Sequence, residues 1–211
     1  MSSGPTVGVL ALQGDFAEHE AALRHCGLRC RQVRRSADLV GLAGLVLPGG
    51  ESTTMLKLLD VEQMWQPLGA ALRSGMPVLA TCAGLILLAE RVENPNQRSY
   101  GLLPVTVVRN GYGRQYHSGT FALVSDVLPP GTTGTFIRAP RITHTGPGCE
   151  VLARRDDDPV LVRSGAILAA CFHPELALGH PVTARFAAAV RAHAGAAGRG
   201  AAAATAADCG A

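Results

Sequence analysis

Three short apolar runs, Val7–Leu12, Leu45–Leu47 and Pro77–Thr81, alternate with stretches of helical character at Asp15–Cys26, Thr53–Leu59 and Glu62–Arg73. A strand apolar at almost every position is covered on both faces, as in a parallel sheet flanked by helices. Joining such strands through helices demands right-handed crossovers, so the pattern predicts an α/β fold with a mainly parallel sheet. Asp15 is placed to cap the first helix and Gly27 to end it.

Beyond residue 100 the pattern changes. Leu102–Arg109, Thr120–Val127, Thr135–Ala139, Glu150–Ala153 and Val160–Arg163 are short β-like pieces divided by Gly and Pro turns, which predicts added antiparallel strands. Ala166–Phe172 reads as one more buried strand and Val182–His193 as an amphipathic helix. Residues 1–193 are expected to form one domain. The Ala- and Gly-rich residues 194–211 are expected to form a disordered tail.

Composition narrows the function. Hydrophobic residues make up 47% of the 211 and charged residues 17%, the balance of a globular chain. No apolar run approaches the ~18–20 residues that span a bilayer, and no basic segment precedes the first one, so neither a membrane anchor nor a secretory signal is expected. The net charge of +3 is modest. The densest basic patch, Arg29, Arg31, Arg34 and Arg35, has no interleaved aromatics and reads as a solvated face rather than a nucleic-acid site. Six cysteines form no CxxC pair or zinc-ligand spacing, which predicts reduced thiols in a cytoplasmic protein without a bound metal. Nothing in the sequence calls for a cofactor.

In an open parallel sheet, ligands bind beyond the carboxyl ends of the strands, and three segments fall there. In VLATCAGLILLAE an apolar strand runs into Cys82, then small residues, then a helix predicted over Ala83–Arg91. That is the strand–turn–helix pattern of a nucleophile elbow, with cysteine for serine. A helix N-terminus there favours the thiolate. In LVLPGGESTTM, Gly49 and Gly50 allow backbone amides to approach a ligand, with Ser52 or Thr53 as helix cap. Amides at Gly50 and Ala83 are candidates for stabilising an oxyanion. In AACFHPEL, His173 ends a strand and Glu175 follows on the same side of an extended chain, positioned to orient the imidazole. Cys171 reads as core. From the residues alone the chain is a cysteine hydrolase acting on an amide or ester.

At these segments the chain resembles the class I glutamine amidotransferases of the triad type, on a flavodoxin-like α/β fold. More narrowly, it resembles the glutaminase subunits of two-component pyridoxal 5′-phosphate synthases. GVLALQGDFAEH, LPGGESTTM, TCAGLILLA, RNGYGRQ, FIRAPRI and FHPEL carry the resemblance across residues 6–193. It implies a catalytic triad of Cys82, His173 and Glu175. It also implies L-glutamine held by Gly50, Glu51, Ser52, Arg109, Ile137 and Arg138. Ala80, Tyr112 and the surroundings of Ser118 depart from the family pattern without touching the triad.

The implied reaction is hydrolysis of L-glutamine to L-glutamate and ammonia, delivered to a synthase subunit that builds pyridoxal 5′-phosphate. The loop around Gln13 and Gly14 is a candidate for that contact. Two alternatives are a glutaminase subunit serving histidine or purine synthesis and a cysteine hydrolase of another kind on a flavodoxin-like fold. GGEST and FIRAP argue against the first, and His-Pro-Glu at the last strand argues against the second.

Overall fold

The computed structural model describes residues 4–112 and 118–208, the last nine by their backbone. Five strands follow the alternation read from the sequence: β1 (Thr6–Leu10), β2 (Arg29–Val33), β3 (Gly44–Leu47), β4 (Val78–Thr81) and, much later, the strand Ile167–Ala170. Helix α1 (Phe16–His25) joins β1 to β2, a 3₁₀ turn at Ser36–Leu39 joins β2 to β3, α2 (Ser52–Val61) and α3 (Trp65–Leu72) join β3 to β4, and α4 (Ala83–Leu88) leaves the fourth. Every residue of β3, β4 and the strand Ile167–Ala170 is buried, as expected for a sheet covered on both faces.

The remaining strands are β5 (Ala89–Glu93), β6 (Leu103–Val108), β7 (Gly119–Ala122), β8 (Thr133–Phe136), β9 (Arg141–Thr145), β10 (Glu150–Arg155) and β11 (Asp158–Ser164), which makes Ile167–Ala170 β12. One sheet has seven strands in the order β10-β11-β12-β4-β3-β1-β2. Its β12-β4-β3-β1-β2 part is parallel, and β10 and β11 are added antiparallel beside β12. The other five form a three-stranded sheet β5-β6-β9 and a β7-β8 hairpin.

Three sequence expectations are corrected. The helix after Cys82 stops at Leu88, because Ala89–Glu93 pairs with β6 and that ladder overrides the helical propensity of the segment. Arg141–Thr145, whose β-branched residues follow Pro140, is a strand that the sequence reading passed over. The last helix, α5 (Pro181–Asp208), runs well past His193. Its alanines have the highest helical propensity of any residue, enough to extend a helix already nucleated on the core by Val182, Phe186 and Val190. Residues 209–211 lie outside the described part, as do Gly113–His117, which include the end of the RNGYGRQ segment.

The register sets where the loops emerge. Leu47 lies beside Ala80, and Ala170 beside Thr81, so the segments after β3, β4 and β12 leave the sheet side by side. The loop after β1 emerges next to that of β3, at the point where the strand order reverses. Close packing supports this edge: a Cβ at Gly84 would sit 2.1 Å from the Leu47 carbonyl oxygen, so α4 crosses β3 at a distance only glycine allows. Gly84→Ala pushes against backbone that cannot swing aside. We expect it to cost about 1–3 kcal/mol, the usual penalty for overpacking. Urea unfolding would register this as a lower midpoint with an unchanged slope.

Candidate active site

Cys82 occupies the turn between β4 and α4 with φ 47 and ψ −102, in the left-handed half of backbone space where a side chain is strained. The turn is over-determined. Its N–H donates to the Ala170 carbonyl at 2.9 Å, its own carbonyl accepts from Ile86, and small residues flank it. Cys82 is buried, only 6% exposed, and lines a cavity.

His173 follows β12, its N–H donating to the Thr135 carbonyl at 2.8 Å. Pro174 then turns the chain through a short 3₁₀ segment, Pro174–Leu176, which brings Glu175 back beneath the imidazole. Glu175 Oε1 lies 2.8 Å from His173 Nδ1, and both side chains are buried. A second carboxylate, Asp15 Oδ2, lies 3.2 Å from the same nitrogen. The expectation that Asp15 caps α1 is corrected: it precedes the helix but makes no side-chain cap bond, and its carboxylate turns to the histidine.

Burial opposes a charge on His173, but Asp15, Cys82 and Glu175 beside the ring together raise its pKa well above the ordinary imidazole value. Burial likewise opposes ionisation of Glu175. The neighbouring His19 and His173 overcome it and depress the carboxyl to about 2. Cys82 therefore faces an imidazole held ready to be a cation, the setting in which a cysteine acts as a nucleophile.

The cavity above the thiol measures about 240 Å³. That is below the range typical of drug-sized ligand sites and suits a small metabolite. Asp15, Gly50, Glu51, Ser52, Cys82, Arg109, Ile137, Arg138 and His173 line it, with Ile86 and Asn110. Six separate segments meet at this cavity, and three of them carry every residue that the resemblance assigned to glutamine binding. Glu175 and Ala83 are buried and are not among its lining residues.

Glu51 is the N-cap of α2 and accepts from the Thr53 and Thr54 amides, while Arg109 Nη2 lies 3.0 Å from its Oε1. Burial works against its charge, but the hydrogen bonds from Thr53 and Thr54 outweigh it and bring the carboxyl down to about 2. The cap is thus Glu51, in place of the expected Ser52 or Thr53. Ser52 instead donates to Gln97 Oε1 at 2.8 Å. Arg138 adopts φ 45, with its N–H bonded to Ser118 Oγ at 3.2 Å. Gly50, at φ 135, leaves no space for a Cβ, which would lie 2.5 Å from Gln13 Nε2. Asp15, His19, Ile86 and Asn110 were not read as site residues. The Asp15–His19 spacing of one helical turn in DFAEH was the available signal for that pair.

Among the described residues, one cluster could offer metal ligands: Asp15, His173 and Glu175, with ligand atoms within 4.8 Å of one another. Its histidine and Glu175 are hydrogen-bonded to each other. Five cysteines, Cys26, Cys30, Cys82, Cys149 and Cys171, are free. No helix among the described residues is long and apolar enough to cross a membrane.

A cysteine on a strand-to-helix turn, opposite a histidine–carboxylate pair at the carboxyl edge of a parallel sheet, is the arrangement of the nucleophile-elbow α/β proteins. Within that class, the model of the SNO glutamine amidotransferase family matches residues 9–191, and the chain belongs to that family. A relative from Parafrankia sp. (strain EAN1pec), pyridoxal 5′-phosphate synthase subunit PdxT, is 52% identical over 177 residues, covering 82% of this chain and 87% of the relative. A crystal structure of a glutamine amidotransferase superposes with a TM-score of 0.81 at 42% identity, over 87% of this chain and 98% of that one. PurLQS from Thermotoga maritima shares the fold, with a TM-score of 0.63 at 18% identity over 90% of this chain and 97% of that one.

Glu175 links the site to stability. Its carboxyl is depressed from 4.5 to about 2, so its contribution is fully present above pH 4.5 and is lost as pH falls through the folded value. We expect the stability gap between the wild type and Glu175→Gln, on the order of 2 kcal/mol above that window, to narrow as pH falls through it. Denaturant unfolding at stepped pH measures it.

Proposed function

We propose that the protein hydrolyses L-glutamine to L-glutamate and ammonia with Cys82, His173 and Glu175 as catalytic triad, and that it passes the ammonia to a pyridoxal 5′-phosphate synthase subunit. One observation carries the reading. Cys82, at a strained turn, and His173, hydrogen-bonded to buried Glu175, open on the same small cavity. Membership in the glutamine amidotransferase family and relatives named as subunits of pyridoxal 5′-phosphate synthase support the substrate and the partner. The reading carries with it a cytoplasmic location, one domain over residues 1–193 and a reaction that uses no cofactor.

The zwitterionic end of glutamine meets the Glu51–Arg109 pair, which offers a carboxylate for the ammonium and a guanidinium for the carboxylate. Gly50, Ser52, Ile137 and Arg138 complete the pocket and leave the side-chain amide over Cys82. His173 takes the thiol proton, and the thiolate sulfur attacks the amide carbon. Amides at Gly50 and Ala83 then stabilise the oxyanion. His173 protonates the leaving nitrogen, ammonia departs, and a γ-glutamyl thioester remains. His173 next activates water, which cleaves the thioester and restores the thiol. Glu175 holds the imidazole in orientation and balances its charge throughout.

Glutamate release from glutamine, assayed with the synthase subunit, tests the reading. Cys82→Ala should lose roughly a thousandfold or more in kcat, as removal of a triad nucleophile does. Activity retained in that variant would reject it. For Glu51→Gln the amide keeps an oxygen to cap α2 but loses the charge facing the ammonium. Its KM should rise about tenfold to a hundredfold with kcat little changed, because a hydrogen bond to a charged group contributes about 1.5–3 kcal/mol.

A further inference from the structure

His19 is fully buried on α1 and has no part in the reaction as written above. Its Nε2 lies 3.0 Å from Thr81 Oγ1 and 3.4 Å from Glu175 Oε1, the same carboxylate oxygen that His173 Nδ1 approaches. Its Nδ1 is buried without a partner, and so is Glu175 Oε2. A leucine would fill such a site without leaving a polar atom unpaired, an omission that costs about 1–3 kcal/mol. The imidazole therefore stands where packing alone would disfavour it.

The contacts of Nε2 give the reason. Thr81 is the last residue of β4 and immediately precedes Cys82, while Glu175 follows β12. One nitrogen from a third element thus touches both the strand that carries the nucleophile and the acid that orients the base. With Oε2 unpaired, the polar neighbours of the Glu175 carboxylate are the two imidazoles.

We propose that His19 is a positioning residue for the triad: its Nε2–H, shared between Thr81 Oγ1 and Glu175 Oε1, fixes the carboxylate beneath His173 and keeps it ionised in a dry site. The proposal rests on the glutaminase reading above. The charged and titratable groups around the carboxylate are His173 from the β12 loop, Asp15 and His19 from the β1–α1 segment, Cys82 from the elbow, and His180 ahead of α5. His180 is engaged elsewhere, its Nε2 donating to the Thr133 carbonyl at 2.8 Å. That leaves His19 as the group that stabilises the anion independently of the catalytic histidine.

The amide nitrogen of a glutamine at position 19 reaches the place of Nε2, whereas that of an asparagine reaches only the place of Nδ1. His19→Gln and His19→Asn therefore separate the hydrogen bond from mere polarity, with His19→Leu as the apolar control. Two measurements are made on each: glutaminase kinetics with the synthase subunit across pH, and the pH dependence of Cys82 alkylation by iodoacetamide, which needs no glutamine. We expect His19→Asn and His19→Leu to lose roughly tenfold to a hundredfold in kcat at unchanged KM, a share of what general-base catalysis contributes. Their acid limbs should move up by about one pH unit as Glu175 becomes easier to protonate. His19→Gln should keep most of the wild-type kcat and the wild-type acid limb.

Folded Asn and Leu variants with the wild-type acid limb would overturn the proposal. So would a His19→Gln variant as impaired as His19→Asn, or loss of folding in all three, which would make the role purely structural. A wild-type protein inactive on glutamine would instead reject the glutaminase reading, and the alkylation profiles would still decide on His19.

Discussion

The strained turn at Cys82 is the constraint from which the site follows. A side chain at φ 47 persists only where its surroundings leave no easier conformation. Here β4 ends between β3 and β12, its register fixed on both sides, and α4 must start at once over the Leu47 carbonyl. The chain has no room to relax between those two demands. The thiol is therefore lifted toward the carboxyl edge of the sheet, where the loops after β1, β3 and β12 already converge.

A cysteine held this way can act as a nucleophile only beside a base held equally well. His173 receives that rigidity through its buried ring, its backbone bond to Thr135 and the carboxylate below it. Burying a carboxylate next to an imidazole removes both from water, and removal of either partner leaves an uncompensated group. The structure answers that cost with a short chain of partners running from Cys82 through His173 and Glu175 to His19 and Thr81. Because Thr81 and Cys82 are consecutive, the chain closes on the strand from which it began. Errors in placing one member are then resisted by all the others.

The parallel core and the site loops were legible in the sequence because each rests on a local pattern. Val7–Leu12, Leu45–Leu47 and Pro77–Thr81 are apolar runs of strand length, and CAG, PGGES and HPE each mark a strand end. What escaped were features decided by distant partners. The Ala89–Glu93 strand exists because β6 lies beside it, and nothing in AERVE separates it from the preceding helix. Asp15 looks like a helix cap in sequence, since aspartate before an amphipathic run usually is one. Only the arrival of His173, 158 positions later, redirects its carboxylate. His19 escaped for the same reason: a histidine at the start of a helix has no meaning until Glu175 and Thr81 are folded against it.

Two charge systems share the cavity, and their separation bears on what the site accepts. Cys82, His173, Glu175 and His19 form the inner one, buried and mutually compensated. Glu51 and Arg109 form the outer one, with Glu51 substantially exposed and Arg109 largely covered. Gly49 and Gly50 run between them. The missing side chain of Gly49 lets the His173 ring press against the backbone, and that of Gly50 makes space for Gln13. A ligand with opposite charges on one end and a neutral amide on the other matches this layout, because it satisfies the outer pair without placing a net charge beside the inner one. A ligand carrying a second carboxylate in place of the amide would bring an uncompensated anion beside a buried set of charges that is already balanced, which costs more there than in water. The layout therefore suits the neutral amide of glutamine better than the carboxylate of glutamate.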